Sequence, residues 1–200
     1  IGMRKDGFQI EITTYRSEAY DPEARKPVVA FGERLEDDLY RRDFTMNAMA
    51  LRLPQMELVD PYGGVRDLHE GIVRTPGAPS SSFSDDPLRM MRAARFASQL
   101  GVTVAPEVFA AMKDMAGRIE IISAERVRDE LVKLINGKTP ADGVDLLVES
   151  GLADYVLPEV AALRLEIDEH HRHKDVYQHS LTVLRQACDL ETGPDGAVPS

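Results

Sequence analysis

One cysteine, Cys188, stands in 200 residues, so no internal disulfide can staple the fold. That usage fits a reducing compartment and makes the cytoplasm the expected location. No run approaches the roughly 20 apolar residues that cross a bilayer, and no signal-peptide pattern opens the chain, so no membrane partner is expected. Positive charge is not in excess either: 24 Lys and Arg against 34 Asp and Glu leave a net charge of −10. A protein that binds nucleic acid through its overall charge is therefore excluded, and any such contact must be local. There is no low-complexity tract and no repeat at a period of roughly 20 to 50 residues.

What is present is an ordinary globular composition, 43% hydrophobic and 29% charged, in a chain long enough to bury a real core. The charge is uneven. Residues 51–100 hold six basic against six acidic side chains, whereas residues 151–200 hold four against nine. The balanced part carries the most informative stretch, Ser84 to Phe96. Ser84 suits a helix N-cap, Asp85 and Asp86 suit the positive end of the dipole, and Pro87 suits the first turn. Arg89, Arg92 and Arg95 then recur every third residue, each step turning by about −60° and rising by roughly 4.5 Å. Such a ladder of forks suits a chain of phosphates. Asp85 and Asp86 fall four and three residues before Arg89, within reach of its guanidinium. A carboxylate beside a guanidinium matches cytosine and adenine, which both show an exocyclic amine next to a ring-nitrogen acceptor; guanine and uracil show the opposite polarity there. The same spacing also makes a salt-bridged surface helix.

Earlier in the chain, Phe8 to Arg16 alternates as a strand does, after a hairpin-like start, and puts Glu11 on a sheet face, where a carboxylate can ligate a metal or face solvent. Ser17 to Phe31 reads as an excursion loop. Arg41 to Ala50 sets Leu39, Phe44, Met46 and Met49 inward and leaves Arg42, Asp43 and Asn47 on a polar side, as a nucleotide clamp or as a surface ion pair. Residues 50–53 and 56–59 read as a hairpin, Asp60 to Gly64 as a turn, Asp67 as a cap, and residues 72–74 as a strand. Thr75 to Phe83 reads as a linker and a domain boundary. Helices are expected over 106–117, from Ser123 to Gly137 with Arg126 and Glu130 at i,i+4, and from Thr139 to Gly151. Asp168 to His179 gathers four of the five histidines, a partial metal site or a surface cluster; no His-Glu-x-x-His pattern is present.

In order, Arg41 to Ala50, Asp60 to Leu68, Asp85 to Phe96 and Arg126 to Leu131 resemble four consecutive motifs of the class II CCA-adding tRNA nucleotidyltransferases and the related bacterial poly(A) polymerases. The resemblance runs from about Ile10 to His179, and the His-rich end resembles actinobacterial members in which an HD-type helical domain follows. It implies an α+β fold: part of a polymerase-β-like sheet over residues 1–75, a helical, nucleotide-reading neck over 76–137, a helical body over 138–165, and the start of an HD-type domain over 166–200. It implies that CTP, ATP and the tRNA 3′ end are partners, with Mg2+ as cofactor. Arg42 and Asp43 would meet the phosphates and ribose, Asp86 and Arg89 would read the base, Arg92 and Arg95 would hold the triphosphate, and Arg126 and Glu130 would brace the reading helix. Glu11 would be a third catalytic carboxylate and His179 a first HD-type metal ligand. The family's Asp-x-Asp pair and Gly-Gly-x-Val-Arg-Asp loop are absent, so the chain is expected to be an inactive internal piece of a longer protein. Rival readings are a poly(A) or partial-CCA enzyme, an HD-type metal phosphohydrolase, and a non-catalytic RNA-binding fragment.

Overall fold

The computed structural model describes residues 1–5, 7–19, 28–31, 34–165 and 176–191. Strands β1 (Gly2–Lys5) and β2 (Phe8–Glu11) form an antiparallel hairpin in which Gly2 faces Glu11 and Lys5 faces Phe8. Gly7 takes φ +83° in its turn, a left-handed value that costs glycine little. Strands β3 (Arg16–Ala19) and β4 (Val28–Phe31) pair antiparallel, so most of both strands falls in the stretch read as an excursion loop. Helix α1 (Leu35–Tyr40) follows, then a 3-10 turn at Thr45–Asn47, then the expected hairpin of β5 (Ala50–Arg52) and β6 (Glu57–Val59).

Helix α2 (Gly64–Glu70) is capped by Asp60, whose carboxylate accepts from the backbone N–H of Gly64 at 2.6 Å and of Val65 at 3.0 Å. Asp67, expected to cap, lies instead inside α2, fully buried, where Thr45 Oγ1 donates to it at 2.8 Å. A partnered carboxylate can sit in the interior. Gly64 is required here because a Cβ would lie 2.2 Å from the Thr45 carbonyl oxygen. Strand β7 (Ile72–Val73) then ends the first part of the chain.

Residues 75–83 are not a linker. Pro79 starts helix α3 (Pro79–Asp85), and Phe83 is fully buried. The chain breaks to an extended conformation at Asp86 and resumes as helix α4 (Leu88–Leu100), so Ser84 lies in α3 and does not cap the arginine-bearing helix. Asp86 does, accepting the Leu88 N–H at 3.1 Å. Helix α4 stops at Gly101, φ +67°. Strand β8 (Thr103–Val104) pairs in parallel with β7 and ties the end of α4 to the first part of the chain.

Helices α5 (Pro106–Met115), α6 (Ala124–Ile135), α7 (Pro140–Glu149), α8 (Ala153–Val156), α9 (Pro158–Ala162) and α10 (Val176–Glu191) complete the order. Helix α4 runs through the middle, burying Leu88, Met90, Met91, Ala93, Ala94 and Ala97. Each large apolar side chain so removed from water contributes about 1.5–3 kcal/mol. The helices approach α4 closely at Ser98. Its hydroxyl donates to the Leu134 carbonyl at 2.6 Å, and a Cβ on Gly143 would meet the Ser98 Cβ at 2.8 Å.

The α+β expectation holds, although the strands form four two-stranded pairs among the described residues. Among the described residues one hydrophobic cluster runs from Phe44 and Met46 through Val73, Phe83 and α4 to Tyr177 and Leu181. No helix among the described residues is long and apolar enough to cross a membrane.

Candidate nucleotide site

Beyond α1 the chain turns at Arg41 and runs extended at Phe44, whose ring is fully buried against Phe96, edge to face at 5.6 Å. This plants the Arg41-Arg42-Asp43 turn beside α4. Asp43 is saturated. Its Oδ1 accepts from the Phe44 N–H at 2.8 Å and from Asn47 Nδ2 at 3.0 Å, and its Oδ2 accepts from Arg92 Nε at 2.8 Å and Nη2 at 2.5 Å. Arg42 stays exposed, with Nη1 on the Asn47 carbonyl at 3.2 Å and Nη2 on Asp38 at 3.3 Å. Asp38, nearly buried, also accepts from Arg41 Nε at 3.1 Å and Nη2 at 2.8 Å, so one carboxylate orients both arginines.

The three arginines of α4 take different hydrogen-bond partners. Arg89 turns back to α3 and α1, donating from Nη1 to Ser82 Oγ at 2.8 Å and from Nη2 to the Arg41 carbonyl at 2.5 Å. Arg92 spans to Asp43. Arg95 is 7% exposed; its Nε donates to Glu130 at 2.5 Å, its Nη1 donates to Gln99 at 2.5 Å, and its guanidinium lies 4.0 Å from the Phe96 ring centre. Arg95, expected to hold the triphosphate, here holds Glu130.

Asp86 also departs from expectation. Its Oδ2 accepts from Arg126 Nη2 at 2.9 Å, and the Arg89 guanidinium bonds elsewhere. Arg126 and Glu130, expected to brace helix α4, each turn toward it. Arg126 holds Asp86, Glu130 holds Arg95, and Lys133 adds a contact to Glu130 at 3.2 Å. Arg118 donates to the Ser84 carbonyl at 3.3 Å and steadies the same α3–α4 junction. Arg92 also approaches Glu130, at 3.8 Å, so two rungs share that carboxylate.

A cleft of about 380 Å³ opens beside these groups, lined by Tyr40, Arg41, Arg42, Gly77, Ser82 and Arg89 among others. Arg42 and Arg89 reach it; Asp86, Asp43 and Arg92 stand outside its lining. Glu11 lies exposed on β2, with Gln9 donating to it at 3.4 Å. Among the described residues no three His, Cys, Asp or Glu side chains are placed to hold a metal ion, so the expected metal roles of Glu11 and His179 gain no partner set here. His179 is exposed on α10, and the rest of the histidine cluster lies outside the described residues.

Residues 1–74 match the family described as the poly A polymerase head domain, and residues 101–163 match the probable RNA and SrmB-binding site of polymerase A. A CCA-adding enzyme of Levilactobacillus brevis is 38% identical over 191 residues, covering 93% of this chain and 48% of the relative. The chain belongs to the CCA-adding enzyme and poly(A) polymerase family. The fold agrees: the CCA-adding enzyme of Bacillus stearothermophilus in complex with CTP superposes with a TM-score of 0.70 at 33% identity, over 98% of this chain and 51% of that one. The Thermotoga maritima CCA-adding enzyme complexed with tRNA-CCA gives 0.58 at 34% identity, over 62% and 31%. The chain thus spans about a third to a half of the length of the family members it matches.

Three contributors escaped the sequence reading. Asp38 sits three and four residues before Arg41 and Arg42, a helical spacing that signals the pairing in advance. Ser82 gave no such signal, because it lay in a stretch read as linker. Arg118 acts through a backbone carbonyl, which leaves no mark in side-chain pattern.

Proposed function

We propose that the protein is a template-independent nucleotidyltransferase that adds C and A to the tRNA 3′ end from CTP and ATP. The tRNA 3′-hydroxyl attacks the α-phosphorus, a phosphodiester forms and pyrophosphate leaves. The observation that carries this reading is the placement of Asp86 and Arg89 at the break before α4, joined to the Arg42–Asp43 turn through the Arg92–Asp43 ion pair. In this reading the acceptor and the fork would meet the base, and a further guanidinium would meet the phosphates.

Asp86 would accept from the exocyclic amine of cytosine or adenine, and Arg89 would donate to the adjoining ring nitrogen. For Asp86 to do so, it shares or exchanges its bond to Arg126. Arg42 and Arg92 would hold phosphate and ribose oxygens. Arg95, through Glu130, would keep α4 in register. The magnesium dependence that the resemblance implies finds no ligand set among the described residues. The similarity to enzymes in complex with CTP and with tRNA supports the substrate class.

The test is incorporation by the gene product carrying this chain, with each NTP alone and with all four mixed, on tRNA lacking its terminal CCA. Addition of C, C and then A supports the reading, and addition from GTP or UTP at equal rate overturns it. A second reading, a poly(A) polymerase, rests on the two polymerase A families matched. It predicts long runs from ATP alone.

A further inference from the structure

We propose that Ser82 is a positioning residue for Arg89 and that it sets the base discrimination of the site. This rests on the functional reading above. Arg89 is anchored at two points by groups from other segments. Ser82 Oγ accepts from Nη1 at 2.8 Å, with the Ser82 carbonyl at 3.4 Å, and the Arg41 carbonyl accepts from Nη2 at 2.5 Å. The serine is itself rigidly held. It is 8% exposed, its N–H bonds the Ala78 carbonyl at 3.1 Å, and the neighbouring Phe83 is fully buried in the core. Both Ser82 and Arg89 line the cleft beside the Arg41–Arg42 turn.

A guanidinium has five donors in a planar fork. The anchors take up the terminal nitrogens and leave the Nε side of the fork for a ligand. Discrimination depends on that restriction. Cytosine and adenine each offer a ring nitrogen that accepts; uracil offers there an N–H, which repels a donor, and carbonyl oxygens to either side. A guanidinium held in one plane meets only the ring nitrogen. One free to rotate can follow the uracil carbonyls and donate to them. The serine hydroxyl adds no energy to base binding directly; it removes the alternative orientations that the wrong base would use.

The experiment is steady-state incorporation of CTP, ATP and UTP by the gene product carrying this chain, as wild type, Ser82→Ala and Ser82→Thr, with thermal unfolding of each. For Ser82→Ala the ratio of kcat/KM for CTP over UTP is expected to fall about three- to ten-fold, mostly through KM, as loss of one of the charge-assisted anchors requires. kcat at saturating CTP should change by less than about two-fold and Tm should stay put. Ser82→Thr, which keeps the hydroxyl, should restore the ratio. An unchanged ratio in Ser82→Ala overturns the proposal while leaving the functional reading intact. So does a uniform loss for all three nucleotides that tracks a lowered Tm and is not restored by threonine, since that is merely structural. A wild type that incorporates neither C nor A overturns both.

Discussion

Replacing Glu130 by glutamine tests whether α4 is held by a buried charge or only by apolar packing. Glu130 is 4% exposed and accepts from Arg95 Nε at 2.5 Å and Lys133 Nζ at 3.2 Å, with Arg92 Nη1 at 3.8 Å. Glutamine keeps the shape and one acceptor oxygen but turns the other into a donor facing cations. Arg95 is then left buried with Gln99 and the face of Phe96 as its remaining partners. Removing one partner of a buried pair costs about 3–5 kcal/mol, and the retained oxygen puts this case at the lower end, about 3 kcal/mol. For a domain of this size that lowers Tm by roughly 6–12 °C, read by circular dichroism at 222 nm. The cycle is closed with Arg95→Met, which removes the buried cation. The double variant should be more stable than the sum of the single losses by at least about 1.5 kcal/mol. If Glu130→Gln unfolds within about 0.5 kcal/mol of wild type, or if the two losses simply add, the ion pair is not what holds α4 there.

The other predictions concern the same elements. Asp86→Ala should reduce the preference for CTP and ATP over UTP and GTP about ten-fold, with a smaller effect on rate, as expected for a lost base contact. Arg92→Ala should raise KM for every NTP; equal loss of both properties in both variants refutes the division of labour. Gly64→Ala should destabilise by about 3 kcal/mol or more in urea unfolding, because its Cβ would overlap the Thr45 carbonyl. Tyr177 has its pKa raised by burial first and then by donating to Asp145 at 2.7 Å. The protonated form is the one the fold favours, so the contribution is complete below the ordinary tyrosine pKa of about 10 and declines as pH rises above it. Wild type should therefore lose stability above about pH 10 with a slope that Tyr177→Phe lacks. At pH 8 the phenylalanine variant should be about 1 kcal/mol less stable.

The elements set by local rules were legible. The 50–59 hairpin, the Pro106 and Pro140 helix starts and the Gly151 stop all depend on residues within a few positions of one another. The start of the arginine helix was misplaced because Ser84-Asp85-Asp86-Pro87 offers several caps at once, and the choice is made by Phe83. Burying that ring draws residues 79–85 into a helix of their own, which no local preference in a Pro- and Ser-rich stretch announces. The residues of the site were legible as types but not as partners. Spacing along one helix suggested that Asp86 serves Arg89 and that Arg126 serves Glu130. In the fold each pairs across 35 residues or more, Arg126 with Asp86 and Glu130 with Arg95. Long-range pairings of this kind leave no periodic trace.

These cross-pairings decide how the site will respond to mutation. Helix α4 lies between the two matched segments, residues 1–74 and 101–163, and belongs to neither. Its register is nonetheless set from both sides. Asp43 draws Arg92 from the first, while Arg126, Glu130 and Arg118 hold Asp86, Arg95 and the Ser84 carbonyl from the second. Arg92 also lies within 3.8 Å of Glu130, so a chain of alternating charge runs Asp43–Arg92–Glu130–Arg95. Members of such a chain share partners, and their losses do not add. Removing Asp43 frees Arg92 to move toward Glu130, which already neutralises Arg95; removing Glu130 leaves Arg92 wholly to Asp43. The two changes thus shift the same guanidinium in opposite directions, and their combination should perturb nucleotide binding less than either effect summed with the other.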